Sequence, residues 1–131
     1  QRQMCIRDRL NTSDIFRGFT DTMILAVLAK GDSWGYQINK EISLYSKGAV
    51  VLKEATLYTS FRRLEASGFI LSYWGDETTG ARRRYYAITE AGRNFYSENC
   101  TEWQQMKQVL DALLLNNTTK KESEGAYEQQ N

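Results

Sequence analysis

A chain of 131 residues, 41% hydrophobic and 25% charged with a net charge of +1, has room for one globular domain, or a small domain with one appended element. It holds no histidine, which removes Ser-His-Asp and Cys-His catalysis and the commonest metal ligand, and its longest apolar run, Met23 to Ala29, falls far short of the ~18 residues of a membrane span. Cys5 and Cys100 are too few and too isolated for a disulfide framework or a zinc site, and fit a reduced, cytoplasmic setting.

Gln1 to Leu10 has neither helical nor strand periodicity. Residues 1–12 are expected to be a disordered or non-native extension; the other reading is a flexible basic arm carrying Arg2, Arg7 and Arg9. A helix is predicted from Ile15 to Ala29, with Phe16, Phe19, Met23 and Val27 in one stripe that Ile24 and Leu28 widen. Ser13 or Asp14 suits its N-cap, and Gly31 ends it. The apolar arc is broad enough to face a partner chain as well as its own core. Asp32 or Ser33 is the expected cap of the next helix, Gly35 to Tyr45, which sets Ile38, Ile42 and Tyr45 on one side. Ser46 to Gly48 reads as a turn. Ala49 to Leu52 reads as a short extended piece, and as a candidate third strand.

Lys53 to Ala91 organises the chain. A helix places Leu57, Phe61 and Leu64 on one face and is stopped by Gly68. Its other face carries Ala55, Tyr58, Thr59 and Arg62, flanked by Thr56 and Arg63. Strand-like runs follow at Phe69 to Trp74 and Arg82 to Ile88, joined by a polar turn from Gly75 to Gly80. This segment order is that of a winged helix-turn-helix, in which the second helix of the motif enters the major groove and the hairpin lies along the phosphates. Between Lys53 and Arg84 there are six basic residues against four acidic ones; from Arg93 onward the balance reverses to four against six. Positive charge therefore sits where DNA would lie.

Thr89 fits an N-cap, with Glu90 in the first turn. A long helix is predicted from there to about Leu115. Tyr96, Trp103 and Leu110, with Asn99, Met106 and Leu113, occupy the two seam positions of a heptad. At 1.5 Å per residue such a helix is about 37 Å long, more than one small domain covers, so its stripe calls for a second subunit. Residues 116–131 are polar and expected to be a disordered tail. The expected organisation is α+β, mainly α: a winged helix-turn-helix over 13–90 and a dimerisation helix over 91–115.

Three strings, KEATLYTSFRRLEASGFI, SYWGDETTGARRRYY and ITEAG, closely resemble the PadR family of transcriptional regulators, and the resemblance spans roughly Phe16 to Leu115. The wing and the aromatic helix after it look most like the short, drug-sensing members. Trp34-Gly35-Tyr36 resembles the family's aromatic-Gly-Tyr start to the first helix of the motif. The resemblance implies a homodimeric repressor on double-stranded operator DNA, with no enzymatic activity, cofactor or membrane partner. Candidate DNA-binding residues are Tyr36, Ala55, Thr56, Tyr58, Thr59, Arg62, Arg63, Arg82, Arg83 and Arg84. Tyr58 either donates to DNA or packs against the wing. Arg62 and Arg63 suit a guanine edge or, more commonly, phosphates. Arg82, Arg83 and Arg84 alternate in direction on a strand, as do Tyr85 and Tyr86, so all three arginines cannot face DNA.

By periodicity alone Trp103 is a seam residue. The resemblance implies more: Trp103 matches a central-pore tryptophan that, with its dimer mate, sandwiches planar aromatic or cationic drugs. Met106, Leu110, Ile15, Phe19 and Thr22 are candidates to line that cavity. Cys100 stands one turn earlier, where those proteins carry a larger aromatic, so drug identity does not transfer. Two alternatives stay open: a PadR-like repressor without a drug pocket, and a ligand- or protein-binding module without DNA function.

Overall fold

The computed structural model describes residues 14–76, 80 and 82–115. The expected extension 1–12, the tail 116–131, a Ser13 cap and turn residues 77–79 lie outside the described residues. The elements are α1 (Asp14–Arg17), α2 (Thr20–Leu28), β1 (Ser33–Trp34), α3 (Gly35–Tyr45), α4 (Glu54–Ala66), β2 (Ile70–Trp74), β3 (Arg84–Ile88) and α5 (Glu90–Leu110). A π-helical turn, Asp111–Leu115, follows α5. The fold is mainly helical with one antiparallel sheet of order β1-β3-β2. The chain divides into two compact units, Gln1–Ser97 and Glu98–Asn131.

The expected single helix from Ile15 to Ala29 is instead two, broken at Gly18 and Phe19. Glycine in a helix interior costs about 1 kcal/mol, and here the chain takes a tight turn, with the Phe19 N–H donating to Phe16 O at 3.0 Å. Neither expected cap of α3 holds. Its N-cap is Trp34, which makes no capping side-chain bond. Asp32 accepts the Tyr73 hydroxyl at 2.6 Å, while Ser33 is buried in the sheet.

The third strand also moves. Ser33 pairs with Tyr86 and Trp34 with Tyr85, whereas Ala49 to Leu52 joins no sheet. The segment needs no ladder at Leu52, because Asn39 satisfies that residue twice. Its Nδ2 donates to Leu52 O at 2.7 Å and its Oδ1 accepts the Leu52 N–H at 3.1 Å. One side chain thus fixes the approach to α4.

Ile24, Leu25, Leu28, Ile38, Leu57, Phe61 and Leu64 form the centre of the core. Phe61 stacks on the buried Tyr86 at 4.0 Å, as the expected split of Tyr85 and Tyr86 requires. Tyr45, grouped by periodicity with Ile38 and Ile42, is exposed. It lies beneath the Lys30 ammonium, 3.6 Å from the ring centre. Gly68 ends α4 with φ +77°. Thr89 then joins hairpin to helix: its hydroxyl donates to Gly68 O at 2.7 Å and accepts the Gly92 N–H at 3.0 Å. Phe69 and Phe95 stack at 4.2 Å across this joint.

Candidate nucleic-acid interface

Helix α4 has two chemical faces because its apolar positions recur at three- and four-residue spacing. Leu57, Phe61 and Leu64 are buried with Ser60. Ala55, Thr56, Tyr58, Thr59, Arg62 and Arg63 are exposed. By helical geometry Ala55, Thr59 and Arg62 point most directly away from the core, with Thr56 and Arg63 on one shoulder and Tyr58 on the other. Thr59 Oγ donates to Ala55 O at 2.8 Å and accepts from Arg62 Nη2 at 3.3 Å.

Arg63 does not extend freely from the helix. Its Nε and Nη2 donate to the two Asp21 oxygens at 2.8 and 2.6 Å, and Nη2 also reaches Ser60 Oγ at 3.1 Å. The hydrogen bond and charge of Asp21 raise the Arg63 pKa above its ordinary value. Asp21 carried no signal in the sequence, since it lies 42 residues away.

Tyr58 meets the edge of Phe61 at 5.5 Å, and its hydroxyl stands close to Gly35, where a Cβ would come within 2.9 Å of it. Tyr58 is nevertheless exposed, and Tyr36 more so, at 72%. The two tyrosines line one groove of about 480 Å³ with Asn39, Lys40 and Glu54.

The wing arginines part company. Arg83 lies over Trp34, 4.7 Å from the ring centre. Arg82 and Arg84 both approach Trp74, at 5.8 and 5.9 Å. Arg84 is tied down further, donating to Ser72 Oγ at 2.8 Å and pairing with Glu65 at 3.5 Å. All three are exposed. Arg82 and Arg83 precede β3, yet the ladder persists beside them, with the Gly75 N–H donating to Arg83 O at 2.7 Å. Tyr73 steadies β2 by its bond to Asp32, which raises the tyrosine pKa.

Among the effector candidates, Phe19 and Thr22 are half-buried in the first unit. Ile15 lies in α1, but its side chain is outside the described residues. Trp103, Met106 and Leu110 belong to the second unit, on one side of α5, and are 44%, 45% and 42% exposed.

A family model for PadR-like transcriptional regulators matches residues 24–98. This chain belongs to that family. It is 46% identical to a transcriptional regulator from Clostridium thermocellum, over 79% of this chain and 97% of that one, with a TM-score of 0.73. A PadR family transcription regulator from Clostridium difficile is 35% identical over 74% of this chain and 99% of its own, with a TM-score of 0.66. An uncharacterised protein of Lysinibacillus sphaericus is 41% identical across 102 residues, 78% of this chain and 94% of that protein.

PadR membership makes the protein a DNA-binding transcriptional regulator rather than an enzyme. The family match covers every residue expected from the sequence to bind DNA, from Tyr36 to Arg84. It stops short of the effector candidates on both sides, since Ile15, Phe19 and Thr22 precede it and Trp103, Met106 and Leu110 follow it.

Proposed function

We propose that this PadR-like regulator is a homodimeric repressor that lays α4 of each subunit into successive major grooves of a near-palindromic operator. The observation that supports this best is the two-faced character of α4: its apolar side is sealed into the core while hydroxyl and guanidinium groups occupy the other. Ala55 and Thr59 suit apolar contact with a thymine methyl, and Arg62 suits a guanine edge. Tyr36, Thr56 and Tyr58 suit phosphate oxygens. Arg82 and Arg83 follow the backbone from the wing, and Arg63 and Arg84 act from poses held by carboxylates.

The second unit supports the dimer. Trp103, Met106, Val109, Leu110 and Leu113 leave a run of exposed apolar surface along α5 and the π-helical turn after it, of the kind that marks an interface. In the dimer, Trp103 and its mate hold a planar aromatic or cationic compound. The compound acts by binding one spacing of the recognition helices better than another. Such a regulator works in the cytoplasm.

The test has two arms. Fluorescence anisotropy on a duplex selected with the intact chain from a randomised pool should give affinity that falls steeply with salt. Salt-insensitive binding would overturn the repressor reading. Planar cationic dyes should quench tryptophan emission saturably in the intact protein and far less in Trp103→Phe, with Trp34 and Trp74 as background. Equal quenching in both proteins, or none in either, removes the drug pocket.

A further inference from the structure

A second groove, about 400 Å³, runs along the shoulder of α4 that faces α1 and α2; Arg17, Thr20, Thr56, Thr59, Ser60 and Arg63 line it. Two guanidiniums and four hydroxyls meet there with no carboxylate in the lining. Asp21 nevertheless shapes the groove through Arg63. Asp21 and Ser60 use the Nε and Nη2 donors of that guanidinium, so among the described residues three of its five N–H groups are taken and the two on Nη1 are left. The hydroxyls are likewise sorted. Thr20 donates to Phe16 O and Thr59 to Ala55 O, while Thr56 is exposed and its hydroxyl makes no hydrogen bond within the described residues. Arg17 reaches the groove because the chain breaks at Gly18 and Phe19, and it ends α1 one residue before that break.

We infer that this groove holds one backbone phosphate of bound DNA, contacted by Arg17 and the Thr56 hydroxyl, with Arg63 as a positioning residue fixed by Asp21. The inference rests on the DNA-binding reading above. An anion is favoured because the lining offers two guanidiniums and an exposed threonine hydroxyl, the usual partners of phosphate oxygens. A phosphodiester of the duplex is favoured over a free anion by location. Thr56 and Arg63 sit on the shoulder of the same helix whose outermost residues, Ala55, Thr59 and Arg62, face the bases, and phosphates flank a helix seated in the major groove.

The test compares intact chain, Arg17→Ala, Arg17→Lys and a charge-matched control, Lys107→Ala, on the selected duplex and on a random-sequence duplex across a salt series. Arg17→Ala should weaken binding to both duplexes by the same factor and reduce the slope of log K against log salt by about 1. Arg17→Lys should restore the slope, and Lys107→Ala should leave it unchanged. Thr56→Val, which keeps the shape of an exposed side chain, should weaken both duplexes equally without changing the slope. The proposal is overturned if Arg17→Ala matches the Lys107 control while the intact chain binds normally. It is overturned differently if inorganic phosphate binds the intact chain and not Arg17→Ala while the DNA slope stays put, because the groove then serves a free anion. If the intact chain shows no salt-dependent binding to any duplex, the parent reading falls and takes this one with it.

Discussion

Replacing Gly92 with alanine sets two expectations of opposite sign against each other. Gly92 lies in the first turn of α5, and helix propensity alone predicts that alanine there stabilises the protein by about 1 kcal/mol. The tertiary structure predicts the reverse. A Cβ on Gly92 would stand 2.0 Å from the backbone oxygen of Phe69 and 2.9 Å from Ile88 Cγ1. The obstacle is a carbonyl, not a side chain that can swing away, so the start of α5 must withdraw by more than ~1 Å to reach ordinary contact. That carbonyl accepts the Thr89 N–H at 3.0 Å, and Thr89 in turn caps Gly92 and bonds Gly68. Overpacking of this kind costs about 1–3 kcal/mol, and each hydrogen bond lost with it about 1 kcal/mol. Set against the propensity gain, the net loss should be about 2–4 kcal/mol, or a fall in melting temperature of ~8–16 °C for a unit of this size. Urea and thermal unfolding followed by circular dichroism would measure it. A variant that melts at or above the parent temperature would refute the steric argument.

Asp21→Ala should cost no more than about 1 kcal/mol, because the Arg63 side chain is 54% and the Asp21 side chain 23% exposed and solvent screens such a pair. The difference from the parent should shrink in 1 M salt, and a loss indifferent to salt would show that the pair acts by packing. Asn39→Ala should cost about 1–3 kcal/mol by stranding both backbone groups of Leu52. Amide exchange at Leu52 should accelerate, and unchanged protection there would contradict the bridging role. Burial raises the Tyr86 pKa above its ordinary value of 10.0, so the folded state keeps a proton that the unfolded chain gives up. Stability should therefore hold below about pH 10 and drain away as pH rises through the folded value. Tyr86→Phe should lose less stability over that alkaline range, as pH-dependent urea midpoints would report, and an unaltered alkaline loss would exonerate this tyrosine.

Much of the fold was legible because it depends on local periodicity. The buried face of α4, its stop at Gly68, the two long strands and the Thr89 cap each follow from spacing within a few residues. The exposed face of α4 and the exposed arginines of the hairpin were legible for the same reason, as the remainder of an amphipathic helix and a basic run beside a turn. The third strand was misplaced because Ser33–Trp34 has little signal of its own; it is a strand only because Tyr85 and Tyr86 lie beside it. Ala49 to Leu52 had the strand-like composition, but a distant asparagine met its backbone needs at Leu52.

What the sequence determined by itself was which side of each helix is apolar, where the chain must turn, and which segment carries positive charge. Those properties reside in neighbouring residues, and water enforces them on any compact structure. Only the tertiary structure decided what each charged group does. It turned Arg63 toward Asp21, tied Arg84 to Glu65 and Ser72, set Arg17 in a groove beside α4, and made Gly92 a point of backbone contact. Each of these pairs partners far apart along the chain, and no local pattern encodes the distance between them.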